Sequence, residues 1–381
     1  MQINWQTITK QKFVEHYWQK KPIVLKNAIP NFTDPIAPEE LAGLAMEEFV
    51  ESRMITNNNG TWQVNHGPFN DFSALGESKS TLLVQGVDNF NVNVNELLKL
   101  VDFVPQWRVD DVMISYSSEQ AGVGAHIDQY DVFIIQGQGQ RHWQAGEINR
   151  NLKQQETCKD LMQVGDFPTI VDEVLEPGDI IYIPPFSPHK GETLQPALNY
   201  SIGFRAPSSL ELLSAFADYC IDHEKGGKRY QDEVLTTEPK PFSPSKATIS
   251  QLKSQLIDLI EQEDLFESFL NQKLTISSRE LDISEPSFSV NEESICEVLS
   301  QYEVVHKVLG LKSTTVQRAG NWEYMCAGEL YPFSAQQTEF IQLLQQNQFL
   351  TDKQLKSSLD CLENRQLLTT LINQGYWYFD E

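Results

Sequence analysis

The chain is poor in cysteine, and the placing of its cysteines excludes two kinds of scaffold. The five residues, Cys158, Cys220, Cys296, Cys326 and Cys361, are odd in number and scattered, with no CxxC pair. That argues against a disulfide framework or a structural zinc site, and it fits a reducing compartment, so a cytoplasmic location is expected. No run of about 18 apolar residues is present, which excludes a membrane-spanning helix. The opening Met1-Gln2-Ile3-Asn4-Trp5-Gln6 lacks the basic start and apolar run of a signal peptide. Positive charge is scarce too: 29 Lys+Arg stand against 53 Asp+Glu, a formal net charge of −24. An acidic surface repels phosphate backbones and anionic lipid and attracts basic partners.

What is present suffices for a large core. The 381 residues are 40% hydrophobic, which leaves room for two or three domains without covalent staples. Residues 1 to about 50 read as a mixed lead-in. Glu15 to Lys20 reads as part of a helix, Pro22 to Leu25 as a short strand, and Pro38-Glu39-Glu40-Leu41 as a helix start. From about 50 to 205 the texture is β-rich. Val112–Tyr116, Asp131–Ile135 and Asp179–Ile183 carry β-branched and aromatic residues, separated by turn signals such as Pro177-Gly178. Many short strands of this kind predict a sandwich or barrel. From about 208 helices take over, with Ser209 as the expected cap and an amphipathic stretch over 249–270. A polar, proline-bearing loop over 238–244 lies between them. The last hundred residues mix helix and strand. The tail reads as a helix ending at Gly375 followed by an aromatic strand, which suits a winged-helix unit.

The chemical signal begins at Gly124-Ala125-His126-Ile127-Asp128. On a strand, i and i+2 share a face, so one imidazole and one carboxylate can reach one point. Alone, an HxD is common by chance, and two unrelated polar residues near a turn is the plainer reading. The stretch Glu176 to Pro185, a turn, an apolar strand and a rigid proline exit, changes this, because His189 follows it. A double-stranded β-helix would bring His189 beside His126 and Asp128. Two histidines and one carboxylate leave three positions of an iron ion open, the arrangement of non-haem Fe(II) oxygenases. A 2-oxoglutarate co-substrate would fill two of them and O2 the third. Its distal carboxylate needs a cation, and Arg141, returned by a hairpin, offers the matching fork. Ser115, on a face with Met113 and Ser117, and Asn199 are placed to hydrogen-bond the same molecule. Asp131, Glu119 and Tyr130 lie near enough to meet a guanidinium, or else serve as loop solvation and strand capping.

The segments His126–Phe133, Leu175–Pro185 and Gly203-Phe204-Arg205-Ala206-Pro207 resemble the JmjC-type ribosomal oxygenases, and among them the bacterial ribosomal protein arginine hydroxylases. The resemblance extends to Trp18–Lys26 and Leu41–Glu47. It implies an α+β chain. A double-stranded β-helix (cupin/JmjC) core with flanking helices would span 1–207, a helical dimerisation segment 208–275 and a C-terminal winged-helix domain 276–381. It implies His126, Asp128 and His189 as iron ligands, Arg141 as the 2-oxoglutarate partner, a homodimer, and hydroxylation of an arginine on a large-subunit ribosomal protein. Residues 276–381 hold 7 Lys+Arg and 15 Asp+Glu, a net of −8, so direct DNA binding is not expected of the last domain. The competing expectations are a JmjC histidine hydroxylase, a protein demethylase, or a non-catalytic cupin-like binding protein associated with the ribosome.

Overall fold

The computed structural model describes residues 2–5, 8–77, 79–232, 243–284, 286, 288–318 and 321–380. Its N-terminal unit carries strands β1 (Ile23–Leu25), β2 (Ser52–Asn58), β3 (Thr61–His66), β4 (Lys79–Val84), β5 (Val109–Ser117), β6 (Val132–Gln136), β7 (Gln140–Gly146), β8 (Gln155–Cys158), β9 (Leu161–Gln163), β10 (Thr169–Leu175), β11 (Ile180–Ile183), β12 (His189–Gln195) and β13 (Ala197–Phe204). Eight of them form one antiparallel sheet in the order β1-β11-β6-β13-β5-β4-β2-β3, and a second sheet runs β10-β7-β12.

Strands β6, β11 and β13 are buried throughout, because both faces of the large sheet are covered. Parity sorts their side chains. Val132, Ile134, Ile181 and Ile183 face the small sheet and pack on Trp143, Ala145 and Leu175. Phe133, Ile135, Ile180 and Tyr182 face outward and pack under the lead-in helices and the short helices over 92–101, in one core with Phe13, Leu41, Val94 and Leu97. Each such side chain contributes about 1.5–3 kcal/mol on burial, which fixes the register of these strands against slippage. The two facing sheets are the expected double-stranded β-helix.

The lead-in helix lies earlier than expected, at Lys10–His16. Thr9 Oγ1 caps it by accepting from the Lys12 N–H at 3.1 Å, and Gln19 turns left-handed at φ 58°. The helix at Pro38–Leu44 starts where the sequence placed it.

Beyond the β-unit, helices Ser209–Asp222, Lys246–Ile260 and Glu263–Thr275 pack around Phe216, Cys220 and Phe269. The first is capped by Ser208 rather than Ser209: Ser208 Oγ accepts from the Glu211 N–H at 3.2 Å, and Glu211 returns a bond to the Ser208 N–H at 2.6 Å. The single helix expected over 249–270 is two. Gln262 is extended, and Glu263 and Asp264 sit in the first turn of the next helix, where the dipole favours acids. Of the proline-bearing loop, residues 238–242 lie outside the described residues.

The C-terminal unit has its own core around Leu299, Leu344, Leu368 and Trp377. It holds helices Ile295–Tyr302, Thr338–Gln346 and Leu362–Asn373, a meander over Ser313–Arg318, Asn321–Cys326 and Glu329–Phe333, and a small sheet that ends in Trp377–Tyr378. It is tied to β5: Lys312 Nζ donates to Val109 O at 2.6 Å and Ser278 Oγ to Asp110 Oδ1 at 2.5 Å.

Candidate metal centre

His126 does not lie on a regular strand, contrary to the expected i, i+2 geometry. It makes a single antiparallel bridge with His189, the first residue of β12. The two backbones exchange bonds of 3.0 Å, His126 N to His189 O and His189 N to His126 O, which sets the ring centroids 4.2 Å apart. Asp128 is positioned from its main chain, whose carbonyl accepts from the Phe186 N–H at 2.8 Å. The proline-bounded loop before His189 is therefore folded back onto the ligand segment, which a strand pairing would not have required.

The outcome is convergence. Asp128 Oδ2 lies 3.5 Å from His189 Nε2 and 3.9 Å from His126 Nε2. One ligand atom from each of the three lies within 4.8 Å of the others, and the set is the only such group of three or more found among the described residues. Each imidazole Nδ1 points at the carbonyl two residues before it, Gly124 O at 3.1 Å and Ser187 O at 3.0 Å. Donation there puts the proton on Nδ1 and leaves the Nε2 lone pairs facing the shared point. Gly124 can aim its carbonyl this way because it adopts φ +82°. Burial pushes His189 down to about 4, and the nearby His126 adds to the effect, so the ring is neutral at physiological pH as a ligand must be. Two imidazoles and one carboxylate on one side fit a divalent metal with open positions.

Arg141 is not returned by a hairpin. β6 belongs to the large sheet and β7 to the small one, so the chain crosses between sheets over Gly137–Gly139. In the small sheet Arg141 pairs with Thr193 of β12, four residues after His189. Its guanidinium is buried and donates from Nε to Thr193 Oγ1 at 3.2 Å, from Nη1 to Ser115 Oγ at 3.5 Å and from Nη2 to Ser117 Oγ. Its close partners are hydroxyls, and it forms no ion pair among the described residues. Burial lowers its pKa to about 10, so it remains a cation at neutral pH. A buried cation ringed by hydroxyls has the chemistry to take an anion, because the charge lacks a counterion and each hydroxyl has donor and acceptor capacity left. Gly191 keeps this site open: a Cβ there would stand 3.0 Å from Arg141 Cδ and 2.9 Å from Trp143 Cζ2.

The triad, Arg141 and Ser115 line one cavity of about 180 Å³, walled by Trp143, Ile134, Val132 and Met113. Asn199 faces Ser115 across the strands but does not line it; its Nδ2 donates to Gln136 Oε1 at 2.8 Å. Of the three residues expected near a guanidinium, only Tyr130 borders the cavity. Asp131 is buried and held by Tyr182 Oη at 2.5 Å, Gln19 Nε2 at 3.0 Å and Arg108 Nη2 at 3.2 Å, which makes it a structural anchor. Glu119 is exposed on its loop.

Sequence reasoning missed the cavity's other carboxylates, Asp110 and Asp111 at the start of β5. Burial opposes ionisation of Asp110, but Ser278 and Arg205 outweigh it and hold its pKa below the usual range; burial raises that of Asp111. Strand parity from Ser115 reaches Ser117, as the sequence indicates, and parity from His189 would have found Thr193.

The JmjC domain family matches residues 96–212, and the ROXA-like winged helix family matches residues 258–378. Over 374 residues, 98% of each chain, the protein is 41% identical to the ribosomal protein uL16 3-hydroxylase of Escherichia coli strain K12. It is 30% identical over 290 residues to a probable ribosomal oxygenase of Haemophilus influenzae, covering 72% of this chain and 70% of that one. The X-ray structure of E. coli YcfD matches at a TM-score of 0.89 with 40% identity, covering all of both chains. The structure of the E. coli ribosomal oxygenase YcfD with cobalt and 2-oxoglutarate matches at 0.87 with 40% identity, covering all of this chain and 99% of that one. Two histidines and an aspartate converging beside a buried arginine, on a fold and a sequence shared along the whole chain with these proteins, place the protein in the JmjC ribosomal oxygenase family.

Proposed function

We propose that the protein is an Fe(II)- and 2-oxoglutarate-dependent hydroxylase acting on an arginine side chain of a large-subunit ribosomal protein, uL16 being the substrate in its E. coli relative's name. The observation that carries the oxygenase reading is the buried Arg141, without a carboxylate partner among the described residues, in the cavity that holds the triad. His126, Asp128 and His189 hold the iron, for which cobalt stands in the E. coli structure. When bound, iron and 2-oxoglutarate supply the oxidising power, with O2 consumed and succinate and CO2 released.

The chain's own residues bind and orient. The carbonyls of Gly124 and Ser187 fix both imidazoles with Nε2 inward. Arg141 pairs with the distal carboxylate of 2-oxoglutarate, and Ser115, Ser117 and Thr193 hold that arginine and turn spare hydroxyl capacity to the same oxygens. Trp143, Ile134, Val132 and Met113 exclude water. Asp110 and Asp111, with Tyr130 beside them on the cavity wall, already pair with the guanidinium groups of Arg205 and Arg279, a wall chemistry that supports an arginine substrate. No side-chain general base is required.

The same reading takes the protein to be a cytoplasmic homodimer. Leu210, Leu213, Leu252 and Leu256 of the helical unit are exposed at 76%, 57%, 43% and 65%, an apolar face suited to a second copy. The net charge of −8 over residues 276–381 favours protein contact over phosphate binding for the C-terminal unit.

Substrate-dependent succinate release, measured with and without iron and then with His126→Ala, tests the proposal. Unchanged turnover in the variant removes the triad from the chemistry. Mass spectrometry of ribosomal proteins from a deletion strain should show the loss of 16 Da from one arginine. A loss from a histidine instead, or retained methyl groups, points to the competing activities.

A further inference from the structure

The acidic wall of the catalytic cavity is already engaged. Arg279, in the strap that joins the helical unit to the C-terminal unit, reaches back across 168 residues of sequence to β5. Its Nε donates to Asp111 Oδ2 at 3.2 Å, its Nη2 to Gln85 Oε1 at 3.4 Å, and its Nη1 to Glu51. Its stem lies over Gly86, where a Cβ would come within 3.3 Å of Arg279 Cγ. The guanidinium borders the same cavity as the triad and Arg141. Asp110 is matched likewise, by Arg205 Nε at 3.1 Å. Both carboxylates that suit a substrate guanidinium therefore carry a resident one.

We propose that Arg279 is a specificity-determining residue: it occupies the substrate guanidinium's place on Asp111 and is displaced when a side chain of the right shape arrives. This rests on the arginine-hydroxylase reading above. Arg279 is held on three sides but is only partly buried, its side chain 28% exposed, and Glu51, 54% exposed, lies on its outer side. On leaving Asp111 it keeps Glu51 as a partner. An incoming guanidinium replaces, with its own planar fork, the bond that Arg279 gives up. A lysine ammonium is a point charge without that fork, so the exchange leaves acceptors short, and unmade bonds at a buried carboxylate are expensive. The resident arginine thus sets a threshold that a guanidinium clears and an ammonium does not. Its positive charge also opposes any cation brought to Asp111.

The test uses the full chain loaded with metal and a 2-oxoglutarate analogue, and measures binding of Nα-acetyl-arginine amide and Nα-acetyl-lysine amide by calorimetry. Arg279→Gln should bind the arginine probe about tenfold tighter, from the removed like charge, and the preference for arginine over lysine should narrow. Arg279→Lys, which keeps the charge, should stay nearer the parent in affinity. With an arginine-bearing ribosomal peptide, KM should fall by more than kcat changes. Glu51→Gln, which removes the fallback partner, should weaken the arginine probe, and this variant carries the test if Arg279→Gln does not fold. Equal affinities and an unaltered arginine preference overturn the inference. Should the parent hydroxylate no arginine peptide while the probe affinities shift as stated, the function reading fails; Arg279 then competes with a guanidinium for Asp111 but is not a substrate determinant. Should hydroxylation proceed with no effect of Arg279→Gln, the inference alone falls.

Discussion

Replacing Arg141 by methionine should stabilise the protein without co-substrate while removing its affinity for 2-oxoglutarate. The guanidinium is buried among three hydroxyls, and burial lowers its pKa from the usual arginine value to about 10. At about 1.36 kcal/mol per pH unit, that difference means the charged form is disfavoured in the folded state by about 3 kcal/mol. The sign follows from linkage. A base with a depressed folded pKa binds fewer protons than the unfolded chain between the folded and unfolded values, so the penalty is complete at neutral pH and is relieved only as pH rises above about 10. Methionine fills a similar volume with no charge to bury. Three hydroxyls then lose a donor, returning about 1–2 kcal/mol, so the net gain is about 1–2 kcal/mol and the melting temperature rises by about 2–4 °C. A carboxylate bound to the parent recovers the penalty, and the variant has no such term to recover. Thermal melts with metal, with and without saturating 2-oxoglutarate, read both effects: the parent shows a large ligand-induced rise, whereas R141M starts higher and hardly moves. A variant that binds 2-oxoglutarate as tightly as the parent would refute the assignment of Arg141.

Gly191→Ala places a methyl 3.0 Å from Arg141 Cδ and 2.9 Å from Trp143 Cζ2; the expected result is a 2-oxoglutarate KM raised about tenfold and a stability loss of about 1–3 kcal/mol, read by kinetics and urea melts. Asp88 is buried and accepts the Val112 N–H at 2.7 Å, and burial raises its pKa to about 7. It holds a proton in the folded state that the unfolded chain releases near pH 4, so its contribution is complete below that and is lost as pH rises to about 7. Urea melts at pH 4.5 and 7 should differ by about 2–4 kcal/mol from this group, and Asp88→Asn should flatten the slope. Leu213→Glu with Leu256→Glu puts charges on the exposed helical face; light scattering should show a dimer for the parent and a monomer for the variant, and a monomeric parent would dispose of the interface.

The β-unit was legible because its strands are short, β-branched and separated by turn residues, and because burial on both faces leaves them almost wholly apolar. The triad was legible through residue type and the proline exit before His189, although its local geometry was not: a backbone bridge and a folded-back loop do what an i, i+2 strand was expected to do. Arg141 was singled out for its chemistry and does line the cavity, but its route was misread, since β6 and β7 look like a hairpin in sequence yet belong to different sheets. Asp131 misled because an acid next to a ligand segment looks the same whether it faces the cavity or an internal arginine.

By itself, the sequence determined which side chains can bind metal and carboxylate, and that a β-rich unit precedes helical and mixed ones, because donor chemistry and hydrophobic periodicity are local properties. Only the tertiary structure decided that Asp110 and Asp111 border the cavity, that Asn199 does not, and that Arg279 closes on Asp111 from far along the chain. Those are outcomes of packing between elements far apart in sequence, and no periodicity or spacing encodes which distant surfaces will meet.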